Sequence, residues 1–379
     1  MRTLIMKNSV VRRRHGKLNS KRSSRTEAAT AIDLFCGCGG LTQGLKKAGF
    51  RVIGAVDNDP LSVETYIANH PEVHVWKKEI QKLTVAALKR KLRLRKGALD
   101  LLAGCPPCQG FSTMRTLNGS RRVRDPRNDL LTDFQRFVEG LRPRTIMMEN
   151  VPGLARERSF RDFCKRAEEL GYKGNYRVLN VAAYGVPQRR RRLIYLAALG
   201  APISFASPLQ SRKTVMDAIG FLPRPGKSGD PLHDLPERRS SRILNLIKRI
   251  PKNGGSRTDL PDDEQLDCHK KCDGFHDVYG RMAWDGQAPT ITSGCFNPSK
   301  GRFLHPTQDR AMTMREAALL QGFPRHYKFP SLQHKSAIAL MVGNALPPPF
   351  VAAHARRVQL FLSKGGSIQE ETSRRYHEH

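Results

Sequence analysis

The sequence predicts an α/β fold, a doubly wound sheet carrying a smaller inserted module, on three observations. From Ala31 onward, short apolar runs alternate with longer amphipathic stretches, the rhythm of strand and helix in turn. The stretch from about Ser207 to Gly274 breaks that rhythm with Pro, Gly, Ser and charged residues. At 379 residues the chain is long enough for one large core and a second, smaller unit.

The apolar runs are Ala31–Phe35, Val52–Val56, Leu99–Ala103, Thr145–Met148 and Leu193–Leu196. The module offers one amphipathic helix, around Ser241–Ile250. Beyond it, Ala311–Leu320 reads as a helix and Leu346–Leu362 as another, opened by Pro347, Pro348 and Pro349, which suit a first turn. These elements divide the chain into a basic disordered arm (1–27), a main domain (28–206 with 328–365), a small domain with a hinge (207–327) and a flexible tail (366–379). The arm carries nine Lys and Arg and no acid in its first 25 residues.

Lys and Arg number 66 against 34 Asp and Glu, a formal +32 with a pI near 10.4. That charge points to a polyanionic partner, nucleic acid before a membrane surface, with affinity that falls steeply with salt. No apolar run approaches the roughly 20 residues a bilayer-spanning helix needs, and the N-terminus shows no secretory stretch. The expectation is a soluble, intracellular protein. Eight cysteines are too few and too irregular for a disulfide framework, so free and partly reactive thiols are expected.

Asp33-Leu34-Phe35-Cys36-Gly37-Cys38-Gly39-Gly40 follows a predicted strand and opens a predicted helix. Its glycines Gly37, Gly39 and Gly40 would let the backbone approach a ligand closely. The third glycine of a dinucleotide fingerprint would fall at position 42, where Thr42 stands, so a different adenosine cofactor fits better. Asp57, ending the second strand, would accept from both ribose hydroxyls. Glu79, after an extended stretch, would accept from an adenine amino group, with Ile80 packing on the ring. Helix capping is the plainer use of either acid.

Gly104-Cys105-Pro106-Pro107-Cys108-Gln109-Gly110-Phe111-Ser112 lies just past the third strand, at the carboxyl edge where open α/β sheets place ligands. A Cys108 thiolate there is the nucleophile that an electron-poor pyrimidine C6 needs. Glu149, ending the next strand, can hydrogen-bond cytosine N3 and the exocyclic amine. In Gln188-Arg189-Arg190-Arg191-Arg192, alternation along a strand puts Arg190 and Arg192 on one face, to bind cytosine O2 and phosphate and to hold Glu149. A stacked base hides C6, so this chemistry implies a flipped cytosine. The basic loop between Ser112 and Asn128, with Arg115, Arg121, Arg122, Arg124 and Arg127, would close over it.

Six pieces in order (Asp33 to Gly44, Pro107-Cys108-Gln109, Glu149-Asn150-Val151, Gln188-x-Arg190-x-Arg192, Arg315-Glu316 to Gln321-Gly322-Phe323-Pro324, and Gly343-Asn344) resemble the DNA cytosine-5 methyltransferase family from about Ile32 to Arg357. The resemblance implies a Rossmann-like, S-adenosylmethionine-dependent methyltransferase domain with a smaller inserted target recognition domain, residues 207–274 forming its variable part. It implies Cys108 as nucleophile with Glu149 at N3, and Phe35, Asp57, Glu79, Pro107 and Asn344 around the cofactor. A C-terminal helix would pack back on the first strand. It further implies double-stranded DNA as substrate, a bacterial or phage restriction-modification setting with a separate endonuclease, a cytoplasmic monomer and no resident metal.

Three rivals remain beside that reading. Cys36, Cys38, Cys105 and Cys108 could ligate zinc, as could Cys268, His269, Cys272 and His276. The same Cys and Glu would serve methylation of a tRNA cytosine, although the variable region lacks the Cys-Phe-Thr tripeptide of that subgroup. A catalytically silent DNA-binding protein is the third, and an intact Cys108 and Glu149 argue against it.

Overall fold

The structure, a computed structural model, describes residues 28–107, 130–261, 263, 265–266 and 276–365. The basic arm, Cys108, the basic loop after it, the Cys268 and Cys272 cluster and the tail lie outside the described residues.

Seven strands form one sheet: β1 (Thr30–Leu34), β2 (Arg51–Asp57), β3 (His74–Lys77), β4 (Leu101–Gly104), β5 (Thr145–Asn150), β6 (Tyr172–Asn180) and β7 (Arg191–Leu199), in the order β3-β2-β1-β4-β5-β7-β6. The first five run parallel, and β7 is antiparallel to both β5 and β6. The strand order reverses between β1 and β4, which opens a crevice at their carboxyl ends. Because β7 runs backward, its first residues lie at that same edge, beside the end of β5.

Alternation along the strands feeds two cores. One face carries Ile32, Leu34, Leu102, Ile146, Met148 and Tyr195, covered by α3 (Val85–Leu92), α4 (Leu130–Leu141) and α5 (Arg158–Glu169). Phe134 and Phe163 are 0% and 1% exposed there, and truncating either to alanine would cost about 3–5 kcal/mol. The other face carries Ala31, Leu101, Ala103, Met147, Ile194 and Leu196, covered by α1 (Gly40–Lys47) and the C-terminal helix. α2 (Pro60–Asn69) starts on the Asp59 carboxylate, which accepts from Ser62 N at 2.9 Å, with Pro60 in its first turn.

The small domain (207–327) contributes α6 (Val215–Ile219), α7 (Ser241–Arg249) and α8 (Met314–Leu320), followed by α9 (Lys335–Asn344) and α10 (Pro348–Ser363). Thr313 and Glu316 cap α8 reciprocally. Packing is continuous across residue 328: Ile338 and Val342 of α9 share one core with Val215, Met314, Ala317 and Tyr327. The C-terminal helix α10 lies in the core that holds Ala31 of β1 and crosses α1; a Cβ on Gly44 would stand 2.4 Å from Val351 Cβ, so only glycine admits so close a crossing. Lys335–Ser363 has the length and apolarity of a bilayer span, yet it breaks at Ala345–Pro347, and 61% of its apolar window is buried inside the protein.

Candidate active site

The loop after β1 turns sharply at the sheet's carboxyl edge. Phe35 adopts φ 62°, Gly37 φ 50° and Gly39 φ 96°, all in the left-handed region. Gly37 N donates to Asp57 Oδ2 at 2.8 Å, while Asp59 N donates to Asp57 Oδ1 at 3.0 Å. Asp57 is therefore braced by two backbone amides, and each oxygen keeps a lone pair for a diol. Burial raises its carboxyl above the usual carboxylate range.

The three glycines do not share one purpose. A Cβ on Gly37 would meet nothing within 4 Å, so this position opens to ligand space. On Gly39 it would strike Tyr327 OH at 2.6 Å and His70 Nε2 at 2.7 Å, and on Gly40 it would strike Leu346 O at 2.7 Å. At those two glycines a side chain would collide with the protein's own packing. Ile80 is 4% exposed and packs with Leu83 and Leu88. Glu79 is exposed beside it, 3.0 Å from Lys82 Nζ. Pro107 and Asn344 are exposed as well.

Asp33 shares a sheet face with Ala31 and so turns toward α1, where Thr42 Oγ1 donates to its Oδ2 at 2.7 Å and in turn meets Tyr66 OH at 2.7 Å. Its Oδ1 is buried without a partner. It is thus a buried acid behind the loop rather than an exposed ligand, and burial raises its pKa from 3.8 to about 7. A raised carboxyl contributes stability in its neutral form, fully present below about pH 4 and lost as pH rises through about 7. Relative to Asp33→Asn, the native protein should lose ~3 kcal/mol between pH ~5 and pH ~8.5. Thermal melts of both proteins across that range check this; parallel curves would refute it.

At the end of β5, Glu149 is 8% exposed and paired with Arg192 Nε at 2.8 Å. Register explains the pair: Glu149 lies opposite Ile194, so Arg192, two residues earlier on the same face of β7, meets it at the sheet edge. Arg190 is placed differently. It precedes β7, is 3% exposed, and donates through Nη1 to Ile291 O (3.0 Å) and through Nη2 to Gly343 O (2.8 Å). Burial and the nearby Arg192 lower its pKa to about 9. The expectation that both arginines share one face toward Glu149 and phosphate is corrected for Arg190, whose guanidinium is committed to buried carbonyls.

Two further groups brace this edge, Asn150, which the sequence offers only as part of a motif, and Cys105, which it offers only as a zinc ligand. Asn150 Nδ2 donates to Pro106 O at 2.8 Å, while its Oδ1 accepts from Val151 N, fixing the turn that leads to position 108. The Cys105 thiol, pushed well up by burial and by the charge of Glu149, stays neutral beside that carboxylate. Both were concealed in motif neighbours of the named residues. Cys36 and Cys38 are buried, with thiols pushed up by burial, that of Cys38 to about 12. Cys38 Sγ instead donates to Met341 O at 3.7 Å. Among the described residues no group of three or more His, Cys, Asp or Glu is placed to hold a metal ion.

Compared with known proteins, the chain matches the C-5 cytosine-specific DNA methylases over residues 29–360. It belongs to that family. The methylase is 37% identical over 349 residues to the type II methylase M.HgiDII of Herpetosiphon aurantiacus, covering 87% of this chain and 95% of that protein. It is 35% identical over 336 residues to the type II methyltransferase M1.HphI of Haemophilus parahaemolyticus, covering 87% and 86%. Among solved structures, a prophage-encoded DNA modification methyltransferase from E. coli superposes with a TM-score of 0.65 at 24% identity, covering 89% of this chain and 100% of that one, a likeness of fold.

The methylase transfers a methyl group from S-adenosylmethionine to carbon 5 of cytosine in DNA. The carboxyl edge fits that cofactor. Glu79, Asp57, the open backbone at Gly37 and Pro107 follow β3, β2, β1 and β4, four neighbouring strands. Their ends span about 14 Å, enough for an extended nucleoside.

Proposed function

We propose that this methylase modifies one cytosine within a specific double-stranded DNA sequence, as the protective partner of a separately acting restriction endonuclease in a bacterial or phage setting. It would act as a cytoplasmic monomer. The type II methylases it resembles support that setting. The observation that carries the chemistry is Glu149, held by Arg192 at the crevice and joined through Asn150 to the turn that leads to Cys108.

In this reading the Cys108 thiolate adds to C6 of a flipped cytosine. Glu149, having taken the proton released as the Cys108 thiol ionises, passes it to N3, which converts the ring to an enamine that is nucleophilic at C5, and takes it back when the product is released. Arg192 keeps the carboxyl aimed at the ring edge. Asp57, Glu79, the backbone at Gly37 and Asn344 would hold S-adenosylmethionine, which would supply an electrophilic methyl on its sulfonium. After methylation, C5 loses its proton to a base or water and Cys108 leaves. Residues 207–327 would read the DNA sequence, with Arg190 and α9 tying them to the catalytic edge.

The test is transfer of a tritiated methyl to unmethylated duplex DNA, followed by hydrolysis and chromatography of the bases. Label in 5-methylcytosine is expected. Label confined to RNA, or found on an exocyclic amine, would overturn the reading.

A further inference from the structure

Asn344 closes α9 with its side chain exposed, and the carbonyls on both sides of it are held by side chains from distant segments. Before it, Gly343 O accepts from Arg190 Nη2 at 2.8 Å; after it, Ala345 O accepts from Gln321 Nε2. Gln321 is 0% exposed and fixed in turn, its Oε1 accepting from Gln188 Nε2 at 2.6 Å. Gln188, also 0% exposed, reaches Leu320 O at 3.2 Å, and its Oε1 accepts from Ile291 N at 2.9 Å. The carbonyl of that same Ile291 takes Arg190 Nη1. Gln188 and Arg190 therefore grip one residue between them, and by two routes secure the carbonyls of the residues on either side of Asn344. A Cβ on Gly343 would stand 2.6 Å from Ser293 N, so the gripped segments already touch backbone to backbone. Each group is buried where an unpaired amide costs about 1–3 kcal/mol, so the members of the network support one another.

We propose that Gln188 and Gln321 are positioning residues for the cofactor, holding the Gly343–Ala345 turn so that Asn344 meets S-adenosylmethionine in a fixed orientation. The inference rests on Asn344 being a cofactor contact. A glutamine pair serving only the core would set stability and leave cofactor affinity alone; a pair acting through Asn344 must change that affinity, and must lose its effect once Asn344 is gone.

The experiment is calorimetric titration of the full chain with S-adenosylhomocysteine, for the native protein, Gln321→Met, Asn344→Ala and the double variant. Methionine matches glutamine in length and leaves Gln188 its bond to Leu320 O, while the Ala345 carbonyl loses its donor. Each single variant should bind about tenfold more weakly, equivalent to ~1.4 kcal/mol. The double variant should bind no more weakly than Asn344→Ala alone. Methyl transfer to plasmid DNA should show KM for S-adenosylmethionine raised and kcat within about twofold. Normal affinity in Gln321→Met beside weakened Asn344→Ala overturns the positioning role alone; additive losses do the same. Normal affinity in Asn344→Ala removes Asn344 from the site and the proposal with it. Should Gln321→Met not fold, Gln188→Met, which frees Gln321 from its anchor, is read by the same criteria.

Discussion

Cys108→Ser should abolish methyl transfer while DNA binding stays within about twofold of the native protein. A serine hydroxyl has the shape of the thiol but not its acidity, so at neutral pH almost none is present as the anion that adds to C6. Loss of a covalent nucleophile removes several orders of magnitude from turnover because no neighbouring group can form the same bond. DNA affinity is carried instead by the basic surface of a chain at +32, to which Cys108 contributes no positive charge. Duplex DNA containing 5-fluorocytosine separates the two effects. Fluorine at C5 blocks the final elimination, so the native enzyme should remain bonded to labelled DNA through denaturing electrophoresis. Cys108→Ser should leave no such band while retaining DNA on a native gel. A labelled adduct in the serine variant would place the nucleophile elsewhere.

Much of the catalytic edge was legible because it lies at the ends of runs buried on both faces. Strands β1, β2, β4, β5 and β7 announce themselves as short apolar segments, and a residue just past such a run lies at the carboxyl edge of a parallel sheet. That logic reaches Asp57, Glu149 and the turn before Cys108. It fails for β6, an edge strand whose Lys173 to Arg177 are exposed, and for β3, four residues long. It also misses α9, whose apolar residues go nearly all the way round, Leu340 standing on its exposed side with Ser336 and Asn344, leaving no helical period to read. Direction is invisible to apolar patterning, so the reversal of β7 had to come from the structure. That reversal, with a strand beginning at Arg191, separates Arg192 on Glu149 from Arg190 in the interior. The crowding at Gly39 and Gly40 is hidden for a related reason: the atoms that crowd them belong to His70, Tyr327 and Leu346, up to roughly three hundred residues away in sequence. The Gln188–Gln321 pair, 133 residues apart, is hidden in the same way.

Glu149→Gln should lower kcat by about 10²–10⁴-fold with cofactor affinity unchanged, the range expected when a positioned acid is lost from a rate-limiting proton transfer. Glutamine keeps the length of the side chain and can still accept from Arg192 Nε, now 2.8 Å from Glu149 Oε1, so the fold at this edge should survive at a cost of roughly 1 kcal/mol. What glutamine lacks is a proton to give. Addition of Cys108 to C6 pushes electron density onto N3 and O2, and without protonation at N3 the adduct collapses back to cytosine faster than C5 can react. Arg192 does not substitute, its Nε being held by Glu149 at 2.8 Å and its Nη1 by Arg191 O at 2.8 Å. The two carboxyl-edge variants should therefore differ in kind: Cys108→Ser never forms the adduct, whereas Glu149→Gln forms it rarely and reversibly. Single-turnover tritium transfer at saturating S-adenosylmethionine, run beside exchange of the cytosine C5 proton with solvent, distinguishes them. Slow but measurable transfer with depressed exchange is expected of Glu149→Gln; transfer within tenfold of the native rate would remove Glu149 from the proton path and leave it only as the partner of Arg192.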